Sequence, residues 1–390
     1  MGEWRTVPLR QVAEVFDGPH ATPKKTSEGP WYLSISSLKN GRFDLEESAH
    51  LSEEDLPRWT RRVMPRRGDT LFSYETRLGA AAYWRYSFDA ALGRRMGLLR
   101  PDSSEVVPRY LSYAYLGPDF QAMIRENTLS GATVDRIPIG EMPDWPIRLP
   151  DLYAQHVLAG VLGSIDDLIE NNRRRVVVLE EMARAVYREW FVKFRYPGHE
   201  NVPLIDSALG PIPQGWEAST AGDVLELKYG KALKAAARRG GDVAVVSSAG
   251  VVGWHDEAVV DGPAIVVGRK GNVGSVHWVD GACWPIDTAY YVKTDMPLRF
   301  VAEQLRQLEF INTHAAVPGL SRESAYAKPF LAPPSKLVRQ FQELSGILGE
   351  QASHLKNESQ TLASLRDLLL PRLVTGQIDV SDLDLDAVVA

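Results

Sequence analysis

Between Leu158 and Trp190, apolar or near-apolar residues fall at Leu158, Leu162, Ile165, Ile169, Asn172, Val176, Leu179, Ala183, Val186 and Trp190, in alternating steps of four and three. This is a heptad seam, more regular than the stripe of an ordinary surface helix. Pro150 stops the preceding segment, Asp151 is a suitable N-cap, and Pro197-Gly198 end the helix. A second helix follows Pro333-Pro334. Ser335 is its expected cap, and its seam reads Leu344, Leu348, Gln351, Leu355, Glu358, Leu362, Leu365 and Leu369. Neither helix buries its seam alone, so the two are expected to pack on each other. A chain that runs out along one and returns along the other makes them antiparallel. Asn172 either is buried and fixes the register or lies at a solvated edge; the pattern leaves both open. Arg173-Arg174-Arg175 reads as a solvated helix face. Trp190 and Phe191 are expected in a core or an interface, the core being preferred.

The chain also resembles itself. Trp4–Val12 matches Trp216–Val224 at an offset of 212 residues, which also carries Gly18 onto Gly230. Leu71-Phe72-Ser73 with Leu78-Gly79 matches Val266-Val267-Gly268 with Val273-Gly274 at 195, and the seams match at 186, Leu158 onto Leu344. The ordered, falling offsets predict one unit of mixed globular region plus long helix, present twice and shorter in the second copy. Val243–Val246, Val259–Val260, Ala264–Val267 and Ala289–Val292 read as strands, with Leu71–Tyr74 as a counterpart in the first half. Pro108–Arg125 and Leu298–Thr313 read as helices. The predicted fold is α+β: two mixed globular domains with a pseudo-twofold internal repeat, separated by two long antiparallel helices as a coiled-coil spacer. The expected boundaries are a first domain over 1–150, the central helix over 151–195, a second domain over 196–332, the C-terminal helix over 333–378 and an acidic tail over 379–390.

Composition sets the class. Of 390 residues, 44% are hydrophobic, enough for sizeable cores, and the net charge of −6 excludes a generally basic binder while permitting local basic faces. The single cysteine, Cys283, excludes a disulfide framework and a cysteine zinc site. No apolar run reaches the ~18 residues of a membrane helix. Met1-Gly2-Glu3-Trp4-Arg5 has no leader character. A cytoplasmic protein with no membrane association is expected.

Catalytic signatures are missing. The sequence has no Gly-x-Gly-x-x-Gly after a strand, no phosphate loop, no Gly-x-Ser-x-Gly elbow, no Asn-Pro-Pro-aromatic run of amino-methyltransferases and no His-Glu-x-x-His. The eight histidines are scattered, and His156 and His354 are expected at helix surfaces or boundaries.

Basic, glycine-containing segments do occur at corresponding places. Gly268–Gly274 supplies Arg269, Lys270 and Asn272, and its counterpart Ser73–Gly79 supplies Arg77 and Tyr74, the latter to stack or to bond a phosphate. The alternative for both is a hairpin turn with solvated charges, the binding reading being preferred for Gly268–Gly274. Lys228, Lys231 and Lys234 flank Tyr229-Gly230, and Arg238-Arg239 follow. Lys24-Lys25, Arg61-Arg62 with Arg66-Arg67, and Arg94-Arg95 are further clusters. The expected nucleic-acid contacts are Arg269, Lys270, Asn272, Tyr74, Arg77, Lys228, Lys231, Lys24 and Lys25. Ser130–Thr133 and Gly319–Arg322 read as simple loops ahead of the two helices.

The order of these features carries a resemblance. Pro150 leads into Gln155-x-x-Leu158-x-x-x-Leu162-x-x-x-Asp166-x-x-Ile169, then Asn172 and Leu179-Glu180-Glu181-Met182-Ala183-Arg184-Ala185-Val186-Tyr187-Arg188-Glu189-Trp190-Phe191-Val192. The second region opens Gly210-Pro211-Ile212-Pro213-Gln214-Gly215-Trp216, and the chain closes Leu365-Arg366-Asp367-Leu368-Leu369-Leu370-Pro371-Arg372-Leu373-Val374-Thr375-Gly376-Gln377-Ile378. Over essentially its whole length the chain resembles a specificity subunit of a type I restriction–modification system. It departs in Phe341, which stands where the first helix has Gln155, and in the polar Gln351 and Glu358 of the second seam.

The resemblance implies two target-recognition domains, each reading one block of a split, asymmetric site in double-stranded DNA, with the helices as spacer. About 37 residues at ~1.5 Å each give a rod of roughly 55 Å, at most about 16 base pairs of duplex. The implied partners are two methyltransferase (modification) subunits using S-adenosylmethionine and restriction subunits driven by ATP, with no cofactor in this chain. The alternatives are a DNA-modifying enzyme with an unrecognised site and a structural scaffold that does not touch DNA.

Overall fold

A computed structural model describes residues 4–39, 41–131, 134–310 and 319–380. It divides into two units, Met1–Asn171 with Ser359–Ala390, and Asn172–Glu358. Residues 132–133 of the first expected loop, 311–313 of an expected helix and 381–390 of the acidic tail lie outside the described residues.

In the first unit, β1 (Arg5–Pro8), β2 (Ala13–Asp17), β3 (Thr26–Tyr32), β4 (Ala49–His50), β5 (Thr70–Ser73), β6 (Ala81–Tyr83), β7 (Ala90–Ala91), β8 (Met96–Pro101) and β9 (Pro146–Leu149) precede the central helix, Leu152–Tyr187. The main sheet is antiparallel in the order β2-β8-β5-β6, and a smaller sheet runs β4-β3-β7 with β3 and β7 parallel. β1 pairs antiparallel with β9 at the foot of the central helix. The middle strands carry adjacent apolar residues, Leu71-Phe72 and Leu98-Leu99, because both faces are covered. Phe72 and Leu99 face one core with Tyr110, Leu111 and Tyr115, while Leu71 and Leu98 face another with Leu33 and Trp84. The helix expected over Pro108–Arg125 is two helices, Pro108–Leu116 and Pro118–Asn127. Gly117 between them is extended because Pro118 disfavours the helical region for the residue before it.

The second unit repeats these nine strands in order; the short pair Leu38–Lys39 with Arg42–Phe43 in the first unit and Leu204–Ile205 with Ile212–Pro213 in the second fall outside the repeat. β10 (Glu217–Thr220), β11 (Glu226–Tyr229), β12 (Val243–Ser247), β13 (Gly250–His255), β14 (Ala264–Gly268), β15 (Val276–Val279), β16 (Cys283–Pro285), β17 (Ala289–Lys293) and β18 (Pro329–Ala332) precede the C-terminal helix, Ser335–Val374. The main sheet is β11-β17-β14-β15, the smaller one β13-β12-β16 with β12 and β16 parallel, and β10 pairs with β18. Alternation again serves two cores. Ile265, Val267 and Tyr290 join Phe300, Val301 and Phe330, and Val266 and Ala264 join Val246 and Cys283. Val259–Val260 forms only an isolated bridge from Val260 to Cys283. The helix expected over Leu298–Thr313 is described as Leu298–Arg306.

Each long helix contributes to both units, and within each unit the pair is antiparallel. In the first, Asp166 Oδ1 accepts from Arg366 at 3.0 Å and Asp166 Oδ2 from the Tyr113 hydroxyl at 2.6 Å, while Leu158 and Leu162 share a core with Leu373. In the second, Asn172 meets Glu358, Val176 and Leu179 cluster with Ala352 and Leu355, and Tyr187 and Phe191 lie on Phe341 at 5.8 and 5.3 Å between ring centroids. Asp151 caps the central helix, its Oδ1 accepting from the Ala154 N–H at 2.8 Å. Ser335 is not a cap: it is already helical, and the Pro334 carbonyl accepts the Leu337 N–H. The central helix closes in a π turn, Arg188–Val192, that turns Phe191 into the core and leaves Trp190 half-buried.

The C-terminal seam differs from the one expected. Leu344, Gln351 and Leu365 are exposed, and the buried line runs through Phe341, Ser345, Ala352, Leu355, Arg366 and Leu373. The true offset between the helices is 183, carrying Leu149 to Ala332 and Leu158 to Phe341. Phe341 therefore matches Leu158, and Gln155 matches Val338. Reading leucines alone slid the match by one helical turn, because small residues and a paired arginine hold buried places.

Candidate nucleic-acid interface

The two units share one backbone frame at the end of the main sheet. Asp17 faces Gly97 across β2 and β8, as Tyr229 faces Tyr290 across β11 and β17. The Tyr74 N–H donates to Arg95 O as the Arg269 N–H donates to Thr288 O, and the Ile137 N–H donates to Tyr74 O as the Leu320 N–H donates to Arg269 O, both at 2.8 Å. The same bridge joins Glu75 to Arg136 and Lys270 to Gly319. Thr76 and Gly271, and then Gly79 and Gly274, occupy the left-handed region at corresponding turn positions. Apart from the glycine pair Gly79 and Gly274, the residues at these places differ: Tyr74 and Arg269, Glu75 and Lys270, Ile137 and Leu320.

In the second unit, Gly268–Gly274 joins β14 to β15 as a tight turn. Lys270 and Asn272 stand exposed on it. Arg269 folds back: its Nη1 donates to Asp287 O at 2.9 Å, and its guanidinium carbon lies 4.9 Å from the centre of the Tyr229 ring. Arg322 lies against the same ring at 4.1 Å. Tyr229 is half exposed, although it stands beside the buried Tyr290. Burial first, and then the neighbouring Tyr229, push the Tyr290 phenol up to about 12 against the pull of both arginines, so it stays a neutral donor to Leu320 O. Lys228 falls on the opposite strand face from Tyr229 and is paired with Glu226. Lys231 is exposed beyond the strand end, with its carbonyl taken by Trp284 Nε1 at 2.9 Å. The structure therefore gathers Arg269, Lys270 and Asn272 with Tyr229 and Arg322, and sets Lys228 apart. Arg322 falls in a segment that reads as a simple loop in the sequence. The local signals for Tyr229 are its place before Gly230 and the flanking Lys228, Lys231 and Lys234.

The first unit uses the frame differently. Tyr74, expected at the surface, is 4% exposed, and its hydroxyl has no hydrogen-bond partner among the described residues. Burial and the nearby Asp17 carboxylate raise its pKa above the ordinary phenol value. A ring so enclosed presents no face for stacking. Arg77 is exposed, but its Nη1 donates to Ile35 O at 3.2 Å and Ser36 O at 3.3 Å. Lys24 and Lys25 are exposed on the link between β2 and β3. Asp17 of the frame also lines a basic cleft with His20, Arg58, Trp59, Arg61 and Arg62, where Asp17 Oδ2 takes His20 Nε2 at 2.8 Å and Arg62 Nη1 at 3.1 Å.

No family model matches the chain. Along 98% of its length, and 95% of the relative's, it is 21% identical to the type I restriction enzyme MjaIX specificity subunit of Methanocaldococcus jannaschii. It is also 24% identical to the type I restriction enzyme HindI specificity subunit of Haemophilus influenzae, over 50% of this chain and 42% of that one. The chain is related to type I specificity subunits. The solved type I restriction–modification S subunit of M. genitalium has the same fold, with a TM-score of 0.57 at 17% identity, covering 95% of this chain and 96% of the other. A specificity-subunit relationship agrees with the doubled plan of sheets and long helices. At these identities it assigns no contact residue, so the interface rests on the geometry above. Among the described residues no helix is long and apolar enough to cross a membrane.

Proposed function

We propose that this chain is the DNA-reading subunit of a type I restriction–modification complex. Each unit reads one block of an asymmetric, two-part site in double-stranded DNA, and the long helices set the gap. The observation that carries the reading is the repeated frame: the same backbone hydrogen bonds occur in both units under different side chains. That arrangement suits two modules of one origin that recognise different sequences. Phosphate contacts from Lys270, Lys231, Lys24, Lys25 and Arg77 would position the duplex, while groups nearer the frame read bases. The chain itself performs no chemistry in this reading. Methyl transfer, with S-adenosylmethionine, and ATP-driven restriction belong to partner subunits. Two methyltransferase subunits would dock on the helices, where Val177, Val178 and Met182 are exposed on the central helix.

The test is duplex binding by the chain assembled with its methyltransferase subunits, measured across a salt series. The expected result is selective binding whose affinity falls steeply with salt, because each phosphate contact releases counterions. Methyl transfer by this chain alone would overturn the non-catalytic role. Absence of any salt-dependent duplex binding would favour a scaffold.

A further inference from the structure

We propose that Tyr229 is a positioning residue that holds Arg269 and Arg322 as a pre-oriented pair of guanidinium donors, and that this pair reads the acceptor edge of a guanine in the block taken by the second unit. The proposal rests on the DNA-reading function above.

Three elements distant in sequence converge here: the end of β11, the turn after β14 and the segment entering the short helix Arg322–Tyr326. Both guanidinium carbons lie against one ring, at 4.9 and 4.1 Å, and both also lie within 6.0 Å of the Tyr290 ring centre. An arginine stacked on an aromatic face keeps its in-plane N–H edge free, and that edge matches two adjacent acceptors. Among the described residues Arg322 Nε is buried with no hydrogen-bond partner, and its guanidinium carbon lies 4.1 Å from the Tyr229 ring centre. Arg269 is steered by a neutral carbonyl, Asp287 O, and no carboxylate pairs with it among the described residues. Nearby Glu226 is paired with Lys228, and its charge also feels Arg322. Two cations held close together by a neutral ring form a site for an electron-rich partner. Guanine N7 and O6, or a phosphate, supply that chemistry.

The first unit lacks the device. On the same frame, Asp17 stands where the second unit has Tyr229, Tyr74 where it has Arg269, and Ile139 where it has Arg322. The effect is therefore confined to one block, and the other block serves as an internal control.

The experiment uses the full chain assembled with its methyltransferase subunits, on a double-stranded DNA library randomised over the site, with selected sequences read by sequencing. R269K and R322K keep the charge but lose the planar fork. They are expected to reduce guanine preference at one position of one block by about tenfold or more, leaving the other block intact. Y229L should do the same, and Y229F, which keeps the ring, should retain the preference. A loss that is uniform across sequences, with the salt slope reduced by about one, would assign the arginines to phosphate and overturn the proposal. Unchanged selection by all four variants would also overturn it while leaving the DNA-reading function standing. If the unaltered complex selects no sequence, the functional reading itself falls, and the proposal with it.

Discussion

The Asn172 side-chain amide donates to Glu358 Oε2 at 3.1 Å, so the polar interruptions of the two helical seams meet each other. Asn172 is 1% exposed, which resolves its role toward burial and register. Sliding one helix by a turn would leave a buried amide and a carboxylate without partners. N172L is expected to lower stability by about 1–3 kcal/mol, because Glu358 loses its donor, and N172L with E358L should recover most of that loss. Denaturant midpoints of the two variants check this; no recovery in the double variant would mean the pair does not act as a unit.

Acid should loosen the first unit through Asp167. Burial pushes its carboxyl up, but the hydrogen bond and charge of Arg109, then Arg85, outweigh this and hold it below the ordinary value. Arg109 Nη1 lies 2.7 Å from Asp167 and Arg85 Nη1 lies 3.2 Å away. A depressed carboxyl contributes stability that is present above its unfolded pKa, about 3.9, and is lost as pH falls through the folded value. D167N should therefore show a flatter dependence of melting temperature on pH below about 4 than the unaltered chain. Parallel curves would show that this pair does not carry the acid response.

Gly18 and Gly230 mark one place in the repeated frame. A Cβ at Gly18 would lie 2.5 Å from Met96 O, and one at Gly230 would lie 2.2 Å from Ile286 O. Backbone cannot move aside cheaply in a packed sheet, so G18A and G230A should each cost about 1–3 kcal/mol. Thermal melts of both variants test the equivalence; tolerance at one position and not the other would show that the frame is not shared there.

Assembly offers a separate check on the helices. Val177, Val178 and Met182 are each about half exposed, and V177E with V178E should leave the fold intact because neither side chain is in a core. Pull-down with the methyltransferase subunits should fall sharply, while the circular dichroism spectrum and melt stay unchanged. Undiminished assembly would place the docking surface elsewhere.

The chain yields its architecture to sequence reading and its interface only in part, for physical reasons. The central helix is legible because Leu158, Leu162, Ile169 and Val176 are both apolar and buried. The C-terminal helix misleads because exposure and hydrophobicity part company there: Leu344 and Leu365 face solvent, while Ser345, Ala352 and Arg366 are buried. A small residue opposite a large one, or an arginine paired with Asp166, fills a seam without an apolar letter. The repeat shows at Gly18 and Gly230 because backbone crowding restricts the residue there. At the interface, Arg269, Lys270 and Asn272 are visible as a turn, but Arg322 reaches Tyr229 only through the tertiary fold. Tyr74 looks available in sequence and is enclosed by its own core.

Two reading units with a gap set by helix length can be checked by mapping methylated sites for the assembled complex before and after insertion of seven residues into each long helix. Seven residues keep the seam in phase and lengthen a helix by about 10 Å, roughly three base pairs of duplex. The expected outcome is the same two sequence blocks, moved apart by about three base pairs. An unchanged gap, or one continuous recognition sequence in the unaltered complex, would contradict it.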